Sequence, residues 1–213
     1  MTSLTPLTPA RRAAGVRHLR GADDRLAHII TAVGPCRLEV HDDNIFRSLF
    51  RAVLYQQLAG AAAAAIERRV KALFGGRVPA PARFVTASDT ALRAAGLSRQ
   101  KTAYLRDLAD HFASGKLSSQ RLRHLPDEDV IAAVTAVKGI GEWTAHMLLL
   151  GGLGRPDVLP VGDYGIRKAA QLLYALDELP RRDALEAIAE PWRPYRSIAS
   201  WYLWRSLDTK IVG

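Results

Sequence analysis

Two glycines in a tight turn between two helical patterns constrain this chain more than any other feature. The turn is Gly139-Ile140-Gly141, and glycine lets a backbone turn without a side chain in the way. Upstream, residues 127–136 have acids in the first turn and an apolar face with helical spacing. Downstream, residues 142–150 carry Trp143 and Met147 on an apolar stripe. A helix, a glycine turn and a second helix leave backbone N–H groups at the start of the second helix, where a phosphate is readily bound.

Charge points in the same direction. Thirty Lys and Arg against 21 Asp and Glu leave a net charge of +9. A basic surface by itself suits a nucleic-acid partner and an ordinary soluble protein equally, but the hairpin favours nucleic acid. The single cysteine, Cys36, excludes a disulfide framework and a four-cysteine metal or iron–sulfur site. We interpret Cys36 as a packed thiol.

Nearly every segment has helical periodicity and no stretch alternates like a strand over several turns, so the sequence predicts an all-α fold. The first 22 residues lack acids and are predicted to be a ragged N-terminus, and the Gly- and Pro-rich stretch at 75–81 a loop. No apolar run is long enough to span a bilayer, and we expect an intracellular protein. Helices are predicted at residues 24–33, 45–54, 61–73, 88–95, 101–114, 127–136, 142–150, 164–176, 182–190 and 194–207.

Several short blocks follow one another in an order typical of one family. They are Gln56-Gln57-Leu58, Gly96-Leu97-Ser98, the glycine hairpin, the loop at 155–163 and Trp192-Arg193-Pro194-Tyr195-Arg196-Ser197. Together they make the chain similar to the helix-hairpin-helix DNA glycosylases with a Gly/Pro-rich loop and an aspartate. Within that superfamily the chain resembles the alkylbase branch, 3-methyladenine DNA glycosylase II of the AlkA type. The resemblance covers roughly residues 20 to 207.

The resemblance implies a particular architecture. We expect residues 1–213 to form a single glycosylase unit with two helical lobes and the active-site cleft between them. The central lobe would span about residues 44–155, including the hairpin at 136–143, and the second lobe about residues 1–43 plus 156–213. This length leaves no room for the N-terminal β domain of the AlkA type.

Asp163 matches the catalytic aspartate of the superfamily. It lies 22 residues after Gly141, in the run Val-Gly-Asp-Tyr-Gly. Cleaving an N-glycosidic bond builds positive charge on the sugar, and a facing carboxylate stabilises that charge or orients the attacking water. Local sequence alone favours an N-cap for the helix starting at Tyr164, and the two roles are compatible. Asp157 on the same loop is expected to order the loop, and Arg193 and Arg196 to bind phosphate or, more simply, to brace the structure.

Trp143 stands where the lyase branch of the superfamily carries its Schiff-base lysine, so the resemblance implies a monofunctional hydrolase. It also implies that Trp143 stacks on the flipped base, since an indole face attracts a cationic alkylpurine. Trp204, Tyr164 and Met147 would be further walls of the base pocket. From periodicity alone, each of these side chains fits a hydrophobic core equally well.

The resemblance also implies a set of DNA contacts. Gln57 would fill the space left by the flipped nucleotide, with Gln56 as its competitor. Leu97-Ser98-Arg99 would wedge into the facing strand, while Arg99 and Lys101 also suit phosphate contacts. Backbone carbonyls near the hairpin would hold a structural Na⁺ or K⁺. The implied DNA contacts are Gln57, Leu97, Ser98, Arg99, Lys101, Lys138, Gly139, Ile140 and Gly141, and the implied cation ligands are the carbonyls of Thr135, Val137 and Ile140.

The function predicted on these grounds is excision of alkylated bases, such as 3-methyladenine and 7-methylguanine, from double-stranded DNA to leave an abasic site. No cofactor is expected to be required, and a monomer is expected. Two alternatives remain at this point: a glycosylase of the same fold for another lesion, and a DNA-damage binder that has the hairpin but performs no chemistry.

Overall fold

A computed structural model describes residues 6–41, 44–209 and 211. This part of the chain contains helices and no strand, which confirms the all-α prediction. No helix in it combines the length and apolar character that crossing a membrane requires. In chain order the α-helices are α1 (Pro9–Ala22), α2 (Asp24–Val33), α3 (Ile45–Tyr55), α4 (Gly60–Leu73), α5 (Pro81–Val85), α6 (Asp89–Ala94), α7 (Arg99–Ala113), α8 (Ser119–His124), α9 (Asp127–Thr135), α10 (Glu142–Met147), α11 (Tyr164–Tyr174), α12 (Arg182–Ala189) and α13 (Arg196–Asp208).

The chain divides into two compact units. The central unit is Asp42–Leu148, and the terminal unit is Met1–His41 together with Leu149–Gly213. The sequence had put these boundaries near residues 44 and 155. The glycine hairpin lies in the central unit and Asp163 in the terminal unit, so each unit carries one part of the predicted site.

An aromatic cluster forms much of the central unit's core. Phe50 meets Phe84 edge to face, with ring centroids 5.1 Å apart, and Phe46 meets Phe112 in the same way at 5.3 Å. Edge-to-face pairs add to the stabilisation from burial. These contacts join α3, α5 and α7, and thereby fix the two helices that present Gln57 and Lys101.

A half-buried carboxylate organises the terminal unit. Asp23 accepts hydrogen bonds from the Tyr174 hydroxyl and, at 2.9 Å, from Nε1 of the fully buried Trp192. Burial alone would raise the pKa of Asp23, but these hydrogen bonds outweigh it and lower the pKa below its ordinary value. The network ties the start of α2 to the end of α11, the helix that follows Asp163.

Among the described residues, three α-helices were not predicted from the sequence. Helix α1 occupies most of the predicted ragged N-terminus, and α5 begins at Pro81, the last residue of the predicted loop. Helix α8 is a single short element. Arginines and alanines in α1 give it little amphipathic periodicity, so its pattern did not reveal it. The signal was at its start, where Thr8 accepts a hydrogen bond from the Arg11 amide and Pro9 occupies the first turn.

The helix after the hairpin also differs from the prediction. The expected helix at 142–150 ends as an α-helix at Met147, and Leu148–Gly152 continues as a π-helical turn. Its buried face consists of Thr144, Ala145 and His146, whereas Trp143 is 50% exposed. Of the two interpretations that the sequence left open for Trp143, the exposure argues against a core side chain.

Candidate active site and nucleic-acid interface

The hairpin turn requires glycine at position 139. Gly139 has φ +81°, in the left-handed region, and a Cβ atom built on it would lie 2.2 Å from the ring of Tyr104. Both the backbone conformation and the packed ring therefore exclude a side chain. Gly141 ends the turn as the N-cap of α10, which has no side-chain cap at this end.

Side chains from distant parts of the central unit brace this turn. Asp107 Oδ2 accepts a hydrogen bond from the Lys138 amide at 2.8 Å, and Gln56 Nε2 donates to the Gly139 carbonyl at 2.9 Å. The Ile140 amide donates to the Val137 carbonyl at 3.1 Å, and the Ile140 side chain is buried. The amides of Lys138 and Ile140 therefore both donate within the protein.

A cavity of about 890 Å³ lies in the central unit beside the hairpin. Tyr55 and Tyr104 add aromatic surface to it, and Gln56 and Gln100 add amide groups. It brings together six of the predicted residues: Gln57, Ser98, Lys101, Gly139, Trp143 and Met147. The exposed indole and the hairpin backbone therefore border one open space.

The turn after α3 separates the two candidate plug residues. Gln56 uses its side chain to hold the hairpin, as described above, and its own carbonyl accepts a hydrogen bond from Lys101. Gln57 is exposed and has φ 57°, a left-handed conformation that is uncommon outside glycine. Gln57 is therefore the residue of the pair whose side chain is available to a ligand.

Two predicted DNA contacts have different surroundings from those expected. Leu97 is only 3% exposed, so its side chain belongs to the core and the prediction that it wedges into DNA is not supported. Lys101 Nζ donates to the Val53 and Gln56 carbonyls at 2.9 and 2.7 Å instead of reaching freely into solvent. Ser98 caps α7 through its hydroxyl, which accepts from the Lys101 amide, while Arg99 is exposed in the first turn of that helix.

Asp163 is the N-cap of α11. Its Oδ1 accepts a hydrogen bond from the Ile166 amide at 2.8 Å and a second from Trp204 Nε1 at 2.9 Å. The carboxylate is half-buried in the terminal unit. The cap anticipated from local sequence is thus present, and it holds the same side chain that the resemblance nominates for catalysis.

Trp204 is placed by the absence of a side chain at Gly165. A Cβ atom at Gly165 would lie 3.1 Å from Trp204 Cδ1 and 3.1 Å from Asp163 Oδ1, which is tighter than ordinary packing. The indole N–H donates its hydrogen bond to the carboxylate, so Trp204 is a partner of Asp163 as well as a predicted wall of the base pocket. Tyr164, the next residue on α11, is 66% exposed.

The loop that leads to Asp163 is fastened by Asp157. This buried carboxylate accepts from Arg196 Nε at 2.7 Å and from Arg193 Nη1 at 2.8 Å. Ion pairs with two arginines, each with further hydrogen bonds, satisfy a buried charge. Asp157 therefore has the loop-ordering role expected of it, and the two arginines brace the loop.

The hairpin braces Tyr104 and Asp107 were missed from the sequence. They lie on α7 at a three-residue spacing that also includes Lys101, so all three point to one face of the helix. A polar stripe of this kind can be detected in the sequence of an amphipathic helix, but it does not indicate which part of the protein the stripe contacts.

Comparison with known proteins decides the family. Residues 50–194 match the model of the HhH-GPD superfamily base excision DNA repair protein. The chain belongs to this superfamily. The family predicted from the sequence is thereby confirmed.

Individual HhH-GPD relatives place the chain in the alkylbase branch. It is 38% identical to a DNA-3-methyladenine glycosidase from Bacillus halodurans, whose structure superposes with a TM-score of 0.85 over 92% of this chain and 90% of that one. The Schizosaccharomyces pombe 3-methyladenine DNA glycosylase Mag1, solved with abasic DNA, is 32% identical, with a TM-score of 0.79 over 92% and 97%. A putative DNA-3-methyladenine glycosylase, YfjP of Bacillus subtilis, is 33% identical over 79% of this chain, which spans 61% of that protein's length.

Proposed function

We propose that this HhH-GPD protein is a monofunctional DNA glycosylase that releases alkylated bases, 3-methyladenine and 7-methylguanine among them, from double-stranded DNA. The observation that carries the proposal is the carboxylate of Asp163, held by a helix amide and an indole N–H in a chain of this superfamily. The names of the relatives support the choice of lesion.

Asp163 would act at the sugar. In the reaction the bond from C1′ to the base nitrogen breaks, and its electron pair leaves with the base. A water molecule then supplies the hydroxyl at C1′ and releases a proton. Positive charge develops on the sugar before water attacks, and a negative carboxylate facing it lowers the barrier. Because an alkylated purine already carries positive charge, it leaves without strong acid assistance.

Trp143 supports a hydrolase without lyase activity. Its indole stands at the hairpin position where the lyase branch carries a nucleophilic amine, and tryptophan cannot form a Schiff base. The water-driven route is then the one left for cleaving the glycosidic bond.

Base binding is assigned in the central unit to Trp143 and Met147, which both border the cavity beside the hairpin. Half of the Trp143 surface is exposed, and the residue borders the cavity beside the hairpin. An indole attracts a desolvated cation by about 0.5–2 kcal/mol, which favours charged alkylpurines over normal bases.

Backbone binding is assigned to the amides of Gly139 and Gly141, both exposed, and to the positive charges of Lys138 and Arg99. Gln57 would enter the duplex and fill the space of the flipped nucleotide, whose extrusion costs a few kcal/mol.

The family's monovalent cation suits the carbonyls near the turn. Thr135, Val137 and Ile140 offer backbone oxygens, and the Val137 carbonyl, which accepts from the Ile140 amide, retains a second lone pair. An ion held there would add positive charge beside the hairpin and so favour phosphate.

The test is base release from methylated duplex DNA by the wild type and Asp163→Asn, with a borohydride trap. Asparagine also caps helices, so the variant should fold and bind DNA. We expect the wild type to release both methylpurines without a trapped complex, and the variant to be slower by at least about 10²-fold. Asp177→Asn, which removes an exposed carboxylate, serves as the matched control.

Each other outcome excludes part of the proposal. A trapped covalent complex would identify a lyase amine, and release by Asp163→Asn at the wild-type rate would remove Asp163 from the chemistry. DNA binding by the wild type without release would leave a non-catalytic binder.

A further inference from the structure

A polar stripe on α7 supports both the hairpin and the turn after α3. Its members are Lys101, Tyr104 and Asp107. The Tyr104 ring fills the space beneath Gly139, and Asp107 accepts from the Lys138 amide. Lys101 is the member that reaches the α3 turn, and it is also the one the sequence assigned to DNA.

Lys101 is committed to the carboxyl end of α3. A helix leaves its last carbonyls without intrahelical partners, and Nζ of Lys101 donates to two oxygens at this end, those of Val53 and Gln56. The ammonium is partly buried by this arrangement, and burial lowers the pKa of Lys101. A lysine that served mainly as a phosphate contact would keep its ammonium in solvent.

Of the two carbonyls that Lys101 holds, that of Gln56 directly precedes Gln57, and that of Val53 lies one turn earlier. Gln57 adopts a left-handed backbone conformation that residues other than glycine rarely take, and its side chain is exposed. Such a conformation persists when its surroundings enforce it. Here the surroundings are Lys101 on the preceding carbonyls and the Gln56 side chain anchored on the hairpin.

We propose that Lys101 is a positioning residue for Gln57, fixing the α3 turn so that the exposed glutamine is presented in the conformation that enters the duplex. The inference rests on the proposed glycosylase function. A side chain that is already in its bound conformation loses less conformational entropy on binding, and this lowers the free-energy cost of base flipping.

The test is a double-mutant cycle of Lys101→Met and Gln57→Ala. Single-turnover base release is measured on a duplex that carries one 7-methylguanine. Lys101→Met alone should slow release by about 10- to 100-fold, the range that misplacing a substrate-contacting group produces. Because Lys101 acts through Gln57, the double variant should be no slower than Gln57→Ala. Multiplying effects would overturn the inference.

The salt dependence of binding separates positioning from a phosphate contact, since Lys101 has a third N–H to offer. Binding is measured on a duplex with a tetrahydrofuran abasic-site analogue. Each lost phosphate contact should reduce the slope of log K against log salt by about 0.9. Arg99→Met should show this reduction and Lys101→Met should not. An equal reduction in both variants would make Lys101 a phosphate contact and overturn the inference.

Two further variants protect the test. Arg12→Met removes a cation that donates to the Leu38 carbonyl at 2.9 Å in the terminal unit, and it should leave base release unchanged. If Lys101→Met does not fold, Lys101→Gln, which retains a donor, enters the same cycle. Absence of base release by the wild type would instead overturn the proposed function, and abasic-duplex binding would still report the salt slopes.

Discussion

The hairpin and the Asp163 region are held in place in opposite ways. At the hairpin, side chains from elsewhere hold a stretch of backbone: Tyr104, Asp107 and Gln56. At Asp163, a neighbouring backbone amide and Trp204 hold a side chain.

The difference shows where each region is vulnerable. The cap at Asp163 is local, since the carboxylate accepts from the amide three residues later, and only the Trp204 hydrogen bond comes from a distant part of the chain. The hairpin backbone depends on residues 31 to 83 positions away in sequence, so changes far from the motif should weaken it.

Of the three substitutions that test this comparison, Gly139→Ala should have the largest effect on stability and DNA binding. The new Cβ would meet the Tyr104 ring and the backbone would be held in a left-handed conformation, so we expect a loss of about 2–5 kcal/mol in the free energy of unfolding. Urea denaturation and DNA binding measure it. Gly21→Ala, a helical glycine with nothing within 4 Å of the new Cβ, should be neutral or slightly stabilising. Unchanged DNA binding by Gly139→Ala would mean that the ring does not constrain the turn.

Trp204→Phe tests the Asp163 side of the comparison. It keeps an aromatic ring but removes the N–H donated to the carboxylate, a charge-assisted bond worth about 1.5–3 kcal/mol. We expect base release to slow by roughly tenfold while DNA affinity stays the same. Single-turnover kinetics at saturating protein measure the rate. Trp201→Phe, one turn earlier on α13, is the matched control, and an equal loss there would assign the effect to packing.

Asp107→Ala should have the smallest effect and should spare the chemistry. The Lys138 amide would exchange a carboxylate for water, which costs about 1 kcal/mol and weakens DNA binding about fivefold. The rate of base release at saturating protein should not change. Asp110→Ala on the exposed side of α7 is the control. A slower chemical step in Asp107→Ala would contradict the separation of the two regions.

Local signals in the sequence sufficed for most helices and for the N-cap at Asp163. Helix α2 begins and ends at the residues predicted, because its N-cap aspartate and following glycine are both local signals. Asp163 and the need for glycine at position 139 follow from short motifs in the same way.

The misassigned residues depend on tertiary contacts that no local pattern encodes. Lys101 bonds to carbonyls 45 and 48 residues earlier in the chain, so its sequence context resembles that of a free surface lysine. Leu97 looks like a loop residue but is buried. For each of these residues, the tertiary neighbours that pack against the side chain decide whether it is buried or free to contact DNA.

The packing of the Tyr104 ring beneath Gly139 also restricts how these two positions can change during evolution. Two positions that occupy one volume cannot both carry large groups, so the residues at 104 and 139 are not free to change independently. Among homologues, a side chain at the hairpin position should therefore occur only with a small residue at the α7 position. Covariation between the two sites would record the packing of this turn in sequences alone.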